Sequence, residues 1–173
     1  MSGMSEILAA TIDGTLFVKV VGRGTMKESE PLYKVALDKL RSEARSVAFD
    51  LSECTYLDST FLGVIAAISK KVYSLTRSFA TLLKVSTAAA EHLRTTGMMR
   101  ILDCGGEDMC QKPLPILSPV VREAGGNVGK SEMTVHVLMA HRNLMDLCDE
   151  NQERFKNVVE MLTRSMEKRE RGI

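Results

Sequence analysis

The chain of 173 residues carries almost no net charge: 23 lysines and arginines face 22 acidic residues, a formal +1. So close a balance gives no electrostatic case for binding nucleic acid or an anionic membrane. Long hydrophobic runs are missing as well. The longest, near Phe61–Ile68, is about eight residues, against the roughly 20 that a helix needs to cross a bilayer. The opening stretch "MSGMSEILAATIDG" has no basic start and no apolar core, so no signal peptide is expected and the chain reads as cytoplasmic. Metal-ligand spacing is also wanting. Cys54, Cys104, Cys110 and Cys148 are scattered, and no histidine follows the last close pair until His136. Structural zinc sites use tighter pairs in two sets. The expectation is ordinary reduced thiols, with no metal and no cofactor.

Catalytic signatures are equally sparse. There is no P-loop and no dinucleotide fingerprint; "GRGT" and "GGED" are only glycine-rich turns. No serine sits in a G-x-S-x-G context, and a serine nucleophile needs an adjacent base. His92, His136 and His141 all lie far along the chain from Ser59, on segments that read as helical. His92 and His141 read as partly exposed helix residues. Asp50 and Asp58 read as structural caps rather than an acid–base pair. No catalytic activity is expected. Internal repeats and low-complexity tracts are absent from the sequence.

What is present is an alternation of short β-rich runs and helical stripes. "ILAATIDGTLFVKVVG" gives two strands around Asp13-Gly14, a hairpin-turn dipeptide. A helix follows with Tyr33, Val35, Ala36, Leu37 and Leu40 and with Pro31 in its first turn. "SVAFDL" reads as a strand covered on both faces. The next helix reads as amphipathic, with Phe61, Ile65, Ile68, Val72 and Leu75 in one stripe. "FATLLKV" is another buried strand. "STAAAEHLRTTG" is a helix with Ser86 as N-cap and Gly97 at its end, and "MMRILD" closes the series as a strand. The order β-β-α-β-α-β-α-β demands parallel strands joined by helical crossovers. Residues 1–104 thus form one domain. Residues 105–131, with three of the four prolines and five of the twelve glycines, read as a linker or surface excursion. Residues 132–173 read as a helical extension. Its helicity resumes near Thr134, and a second stripe, Phe155, Val158, Val159, Leu162 and Met166, starts at Asp149 with Gln152 completing a capping pair.

The polar triplet Asp58-Ser59-Thr60 stands between a strand exit and a helix. One of the three can cap the helix by accepting a hydrogen bond from its free amides. Alternatively, Ser59 accepts a phosphoryl group. A phosphate there would lie at the positive end of the helix dipole, and would bring about −2 of charge beside Asp58.

"SVAFDLSECTYLDSTFLGVIAAI" resembles the signature of STAS domains, the modules of anti-sigma factor antagonists and of sulphate-transporter tails. In the antagonists a "vvlDLs" strand leads into D-S-[ST]-G-L-G and an amphipathic helix. "STAAAEHLRTTGMMRIL" is similar to the family's third helix and last strand, so the likeness spans roughly residues 5 to 104. It implies a STAS fold of the α/β class: a small, mixed, mostly parallel sheet with helices packed on one face, here with a C-terminal helical extension. It also implies a bacterial signalling protein without enzymatic activity. In the antagonist branch the serine after the aspartate is phosphorylated by an anti-sigma factor with kinase activity and restored by a phosphatase. By position the phosphoacceptor is Ser59, with Asp58, Thr60, Phe61, Arg23 and Thr25 as partner-binding neighbours. The alternative is a STAS scaffold or docking module that is not phosphorylated.

Two positions depart from that pattern. Phe61 replaces the glycine of D-S-[ST]-G, and "GRGT" replaces a loop that in antagonists often reads G-E-L-D, with Thr25 in place of the acid. Arg23, in that loop, is either a phosphate ligand for Ser59 or simply solvated. Phe61 points either into the sheet, which its periodicity favours, or outward beside the serine as an anchor for a partner. The extension either packs on the core, forms a homodimer through its helix, or receives a partner protein.

Overall fold

Asp13 and Gly14 both take positive φ, 48° and 74°, the requirement of a two-residue type I′ turn. They join β1 (Glu6–Ile12) to β2 (Thr15–Gly24) as the antiparallel hairpin that the sequence predicts. The computed structural model describes residues 5–111, 113–120 and 128–172. After β2 come α1 (Met26–Ser42), β3 (Ser46–Leu51), β4 (Cys54–Leu57) and α2 (Ser59–Thr76). Then follow β5 (Ala80–Val85), α3 (Thr87–Thr95), a single 3-10 turn (Met98–Arg100) and β6 (Leu102–Cys104). The remainder is α4 (Glu107–Gln111), β7 (Ser118–Pro119), α5 (Lys130–Met145) and α6 (Asp149–Glu170).

The sheet runs β6-β5-β3-β2-β1-β7, with β4 paired to the far end of β2. β1 and β7 are antiparallel to their neighbours, and the other pairings are parallel. Mixed α/β, mostly parallel, with the long helices on one face, the architecture is the expected one. Central β3 is buried from Val47 to Leu51, the pattern of a strand covered on both sides. In β2, by contrast, Leu16, Val18 and Val20 are buried alternately. Those three meet Leu32, Ala36 and Leu40 of α1 and Phe61, Ile65 and Ile68 of α2 in one core. On the opposite face, Phe17 and Leu83 lie with Met109 of α4 and the segment Pro113–Pro115.

Several local expectations need correction. β4 was not foreseen: only four residues long, it pairs at the very end of β2 across a register shift, too short to show a period. α1 starts at Met26, so Pro31 stands a turn further inside than the first turn. "MMRILD" is a 3-10 turn followed by a strand of three residues. Helicity resumes at Lys130, ahead of Thr134. α6 does begin at Asp149, but its N-cap is Cys148, and the Gln152 amide donates to the Met145 carbonyl (2.8 Å) instead of closing a capping pair.

The largest correction concerns α2. Thr60 to Ala66, Ile68, Ser69 and Val72 are all buried, so the helix is covered on both sides rather than amphipathic. α5 supplies the second cover, and Ala140, Leu144, Leu147 and Phe155 join the same hydrophobic core as the sheet. The extension thus packs on the core. Asn151, fully buried, fixes it there: its amide donates to the carbonyls of Thr96 (2.9 Å) and Leu144 (2.8 Å). Lys70 of α2 adds hydrogen bonds to Asn143 and Asp146. Among the described residues, no helix is long and apolar enough to cross a membrane.

Candidate functional site

α1, α2 and α3 each begin within two residues of the C-terminal end of a parallel strand, β2, β4 and β5 respectively. Three positive helix ends therefore gather at one rim of the sheet, where added negative charge is favoured. Asp58 serves two of them. As N-cap of α2 it accepts the Phe61 amide at Oδ1 (2.8 Å), and its Oδ2 accepts the Met26 amide of α1 (2.7 Å). Its own N–H donates to the Gly24 carbonyl (3.0 Å). One carboxylate thus holds two helix starts and the end of β2 in a fixed relation, the capping role read from the sequence.

With Asp58 capping, the neighbouring hydroxyl is free for another partner. Ser59, the first residue of α2, is half-buried, and its Oγ lies 3.0 Å from Nε2 of His141 on α5. The Nδ1 atom of that ring is 2.8 Å from the Val137 carbonyl oxygen, an acceptor only. Nδ1 therefore carries a proton, and in the neutral ring Nε2 offers its lone pair to the Ser59 hydroxyl, which donates. Phe155 of α6 lies edge-on to the ring, centroids 5.3 Å apart. His141 is only 5% exposed, not the partly exposed helix residue expected. No sequence pattern links it to Ser59, 82 residues earlier.

The other expected site residues separate. Thr60 and Phe61 are 5% and 0% exposed, so neither side chain offers a partner a surface; burial of α2 from two sides takes them away. Phe61 takes the inward orientation, its ring against Gly24, where an added β-carbon would approach within 2.9 Å. Thr25 is the N-cap of α1, its amide and hydroxyl both bonded to the Glu28 carboxylate. Arg23 is exposed, with its guanidinium 4.5 Å above the Tyr56 ring; that ring also meets His92 edge-on at 5.3 Å. Asp50 accepts the Ser52 amide (2.8 Å), a local turn and not half of a carboxylate pair. Around Ser59 the rim exposes Met26 and Tyr56 beside Arg23. No group of His, Cys, Asp and Glu suited to a metal ion occurs among the described residues.

No protein-family model matches the sequence, and no curated protein does. Solved structures do. An anti-sigma factor antagonist from Mycobacterium paratuberculosis superposes with a TM-score of 0.51 at 21% identity, over 61% of this chain and 91% of that one. The anti-sigma factor antagonist SpoIIAA in its unphosphorylated form gives 0.51 at 12% identity, over 59% and 90%. A third, described as an anti-sigma factor antagonist from Thermotoga maritima, gives 0.51 at 20%, over 58% and 86%. Each neighbour is matched over most of its length, while about two-fifths of this chain lies outside the match. Sheet order, hairpin, crossovers and these neighbours agree: the chain has the STAS fold, that of the anti-sigma factor antagonists, with a C-terminal pair of helices added to it.

Proposed function

We propose that this protein is a regulator of the anti-sigma factor antagonist type, acting through protein–protein binding that phosphorylation of Ser59 switches. Its partners on this reading are an anti-sigma factor with kinase activity and a phosphatase, in the cytoplasm of a bacterium. The observation that carries it is the release of Ser59 from any capping duty. Asp58 takes the helix amide, so the serine hydroxyl stands at the positive start of α2 with no structural amide to satisfy. A phosphoryl group there would meet the N–H groups of the first turn. The added charge would change the rim around Met26, Tyr56 and Arg23 without unfolding the sheet. The role is one of binding, as in the antagonists that share the fold.

A second reading has an observation of its own. Ser59 already donates to His141 and is half covered by α5, as suits a scaffold whose docking rim is constant. Purifying the tagged full chain from its native cells, with Ser59→Ala and Ser59→Asp beside it, separates the two. The switch reading expects one phosphoryl group on Ser59 of the wild type, and an anti-sigma factor that accompanies Ser59→Ala but is lost from Ser59→Asp. Phosphopeptides elsewhere with Ser59 unmodified, and the same partners on all three proteins, would leave the scaffold.

A further inference from the structure

A docking surface does not require the hydrogen bond between the Ser59 hydroxyl and Nε2 of His141 on α5. We propose that His141 is the proton acceptor that activates Ser59 for phosphoryl transfer, so that this chain, rather than its kinase, supplies the base. The inference rests on the reading of Ser59 as a phosphoacceptor and adds the residue that makes it reactive.

Three features of the geometry carry it. First, the hydrogen bond has the direction a base needs. The Nδ1 proton is committed to the Val137 carbonyl at 2.8 Å, which leaves the Nε2 lone pair aimed at the serine oxygen at 3.0 Å, within reach for proton transfer. Second, the ring is held. Ala140, the residue before it, is packed against Gly63, and the Phe155 ring closes the other side. Third, the serine has no competing structural task, since Asp58 caps α2. The groups facing the imidazole are the Ser59 hydroxyl from α2, the Phe155 ring from α6 and the Val137 carbonyl of α5 itself. Arg154 lies on the Phe155 ring, its guanidinium carbon 6.0 Å from the centroid. No carboxylate pairs with His141 among the described residues.

The step balances simply. The Ser59 oxygen attacks the terminal phosphorus of a nucleoside triphosphate held by the kinase, while its proton passes to Nε2. The bond from that phosphorus to the bridging oxygen breaks, and the diphosphate leaves with the electron pair. The resulting imidazolium stands beside the new phosphoserine, and its charge opposes the dianion until the proton is lost to solvent.

Diisopropyl fluorophosphate tests this without a kinase. It phosphorylates a serine whose proton a base removes, with a phosphorus–oxygen bond formed and fluoride expelled. The full wild-type chain should gain one adduct, mapped by mass spectrometry to Ser59, and none in Ser59→Ala. In His141→Gln, whose amide oxygen accepts the hydrogen bond but takes no proton, the rate should fall about 100-fold or more, the scale of general-base catalysis. A second variant, His141→Asn, should lose the rate in the same way, and hydrogen exchange shows which of the two variants keeps the fold. No adduct on Ser59 of the wild type, or an undiminished rate in a folded His141 variant, would each overturn the proposal. Phosphate on Ser59 in cells combined with such a result would sink the base and keep the switch. An adduct that depends on His141, in a chain never phosphorylated in cells, would do the reverse for the switch, leaving an activated serine of other use.

Discussion

Gly63 on α2 touches the main chain of Ala140 on α5: a β-carbon on the glycine would stand 2.2 Å from the alanine's carbonyl oxygen and 2.7 Å from its α-carbon. Neither atom can rotate away, so only glycine lets the two helices cross at this distance. Ser59 lies one turn before Gly63 and on the same face of α2, while His141 follows Ala140. The crossing therefore sets the contact between serine and imidazole.

Gly63→Ala should push α5 off α2. Overpacking of this kind costs about 1–3 kcal/mol, and the effect should be local before it is global. Hydrogen exchange should show the amides of α5 and α6 losing protection while those of β3 and β5 keep it. Unchanged protection in α5 would mean that the crossing adapts.

Phe61 and Gly24 form a second small–large pair. The Phe61 ring occupies the space above the glycine, where a β-carbon would come within 2.9 Å of it. Phe61→Ala should cost about 3–5 kcal/mol, as buried aromatic truncations do. Gly24→Leu alone should also destabilise. The double variant Gly24→Leu with Phe61→Gly should be more stable than the two separate losses predict, and denaturant melts of the cycle measure that coupling. Plain additivity would show that the two positions do not exchange volume.

Asp58→Ala should weaken two helix starts at once, because one carboxylate accepts the amides of both Met26 and Phe61. A single cap is worth about 1 kcal/mol, so a loss of roughly 2 kcal/mol is expected. Asp58→Asn keeps one acceptor oxygen and turns an NH2 toward the other amide, so its loss should fall between wild type and alanine. Equal melting temperatures for all three proteins would contradict the shared cap.

His136 provides a pH dependence apart from Ser59. It is buried, 7% exposed, with Nε2 2.8 Å from the Ser29 hydroxyl and the Tyr33 ring 6.0 Å away. Burial lowers its pKa below the ordinary imidazole value; the charge of Glu30 acts to raise it and that of Lys34 to lower it. Glu132 and Met139 of its own helix line the same hollow. A depressed folded value means that the unfolded chain binds the extra proton first. Stability is then complete above about pH 6.5, the ordinary value, and declines as pH falls through that value toward the folded one. Melting temperatures at pH 7.5 and 5.5 should differ more for wild type than for His136→Gln. Identical differences would assign the acid loss to other groups.

Much of this molecule is written locally. The Asp13-Gly14 turn, the Asp58 and Ser86 caps, the left-handed Gly97 and the doubly buried β3 all follow from one or two residues acting on their own backbone. The sequence can therefore state them, and their order alone leads to a parallel sheet with crossovers. β4 escaped because four residues pairing at a strand's end leave no period to read. The second burial of α2 did leave a trace in the unbroken apolar run near Phe61–Ile68, since a helix apolar all round must be covered all round. The identity of the cover did not. Which residue of α5 meets Ser59 depends on where two helices cross, and a shift of one residue would turn His141 away. That register is fixed by Gly63 against Ala140, by Asn151 between two carbonyls and by Lys70 on Asn143, contacts between segments far apart in the chain. The sequence singles out Ser59; its hydrogen-bond partner His141 was decided by tertiary packing, because no local rule brings together residues 82 positions apart.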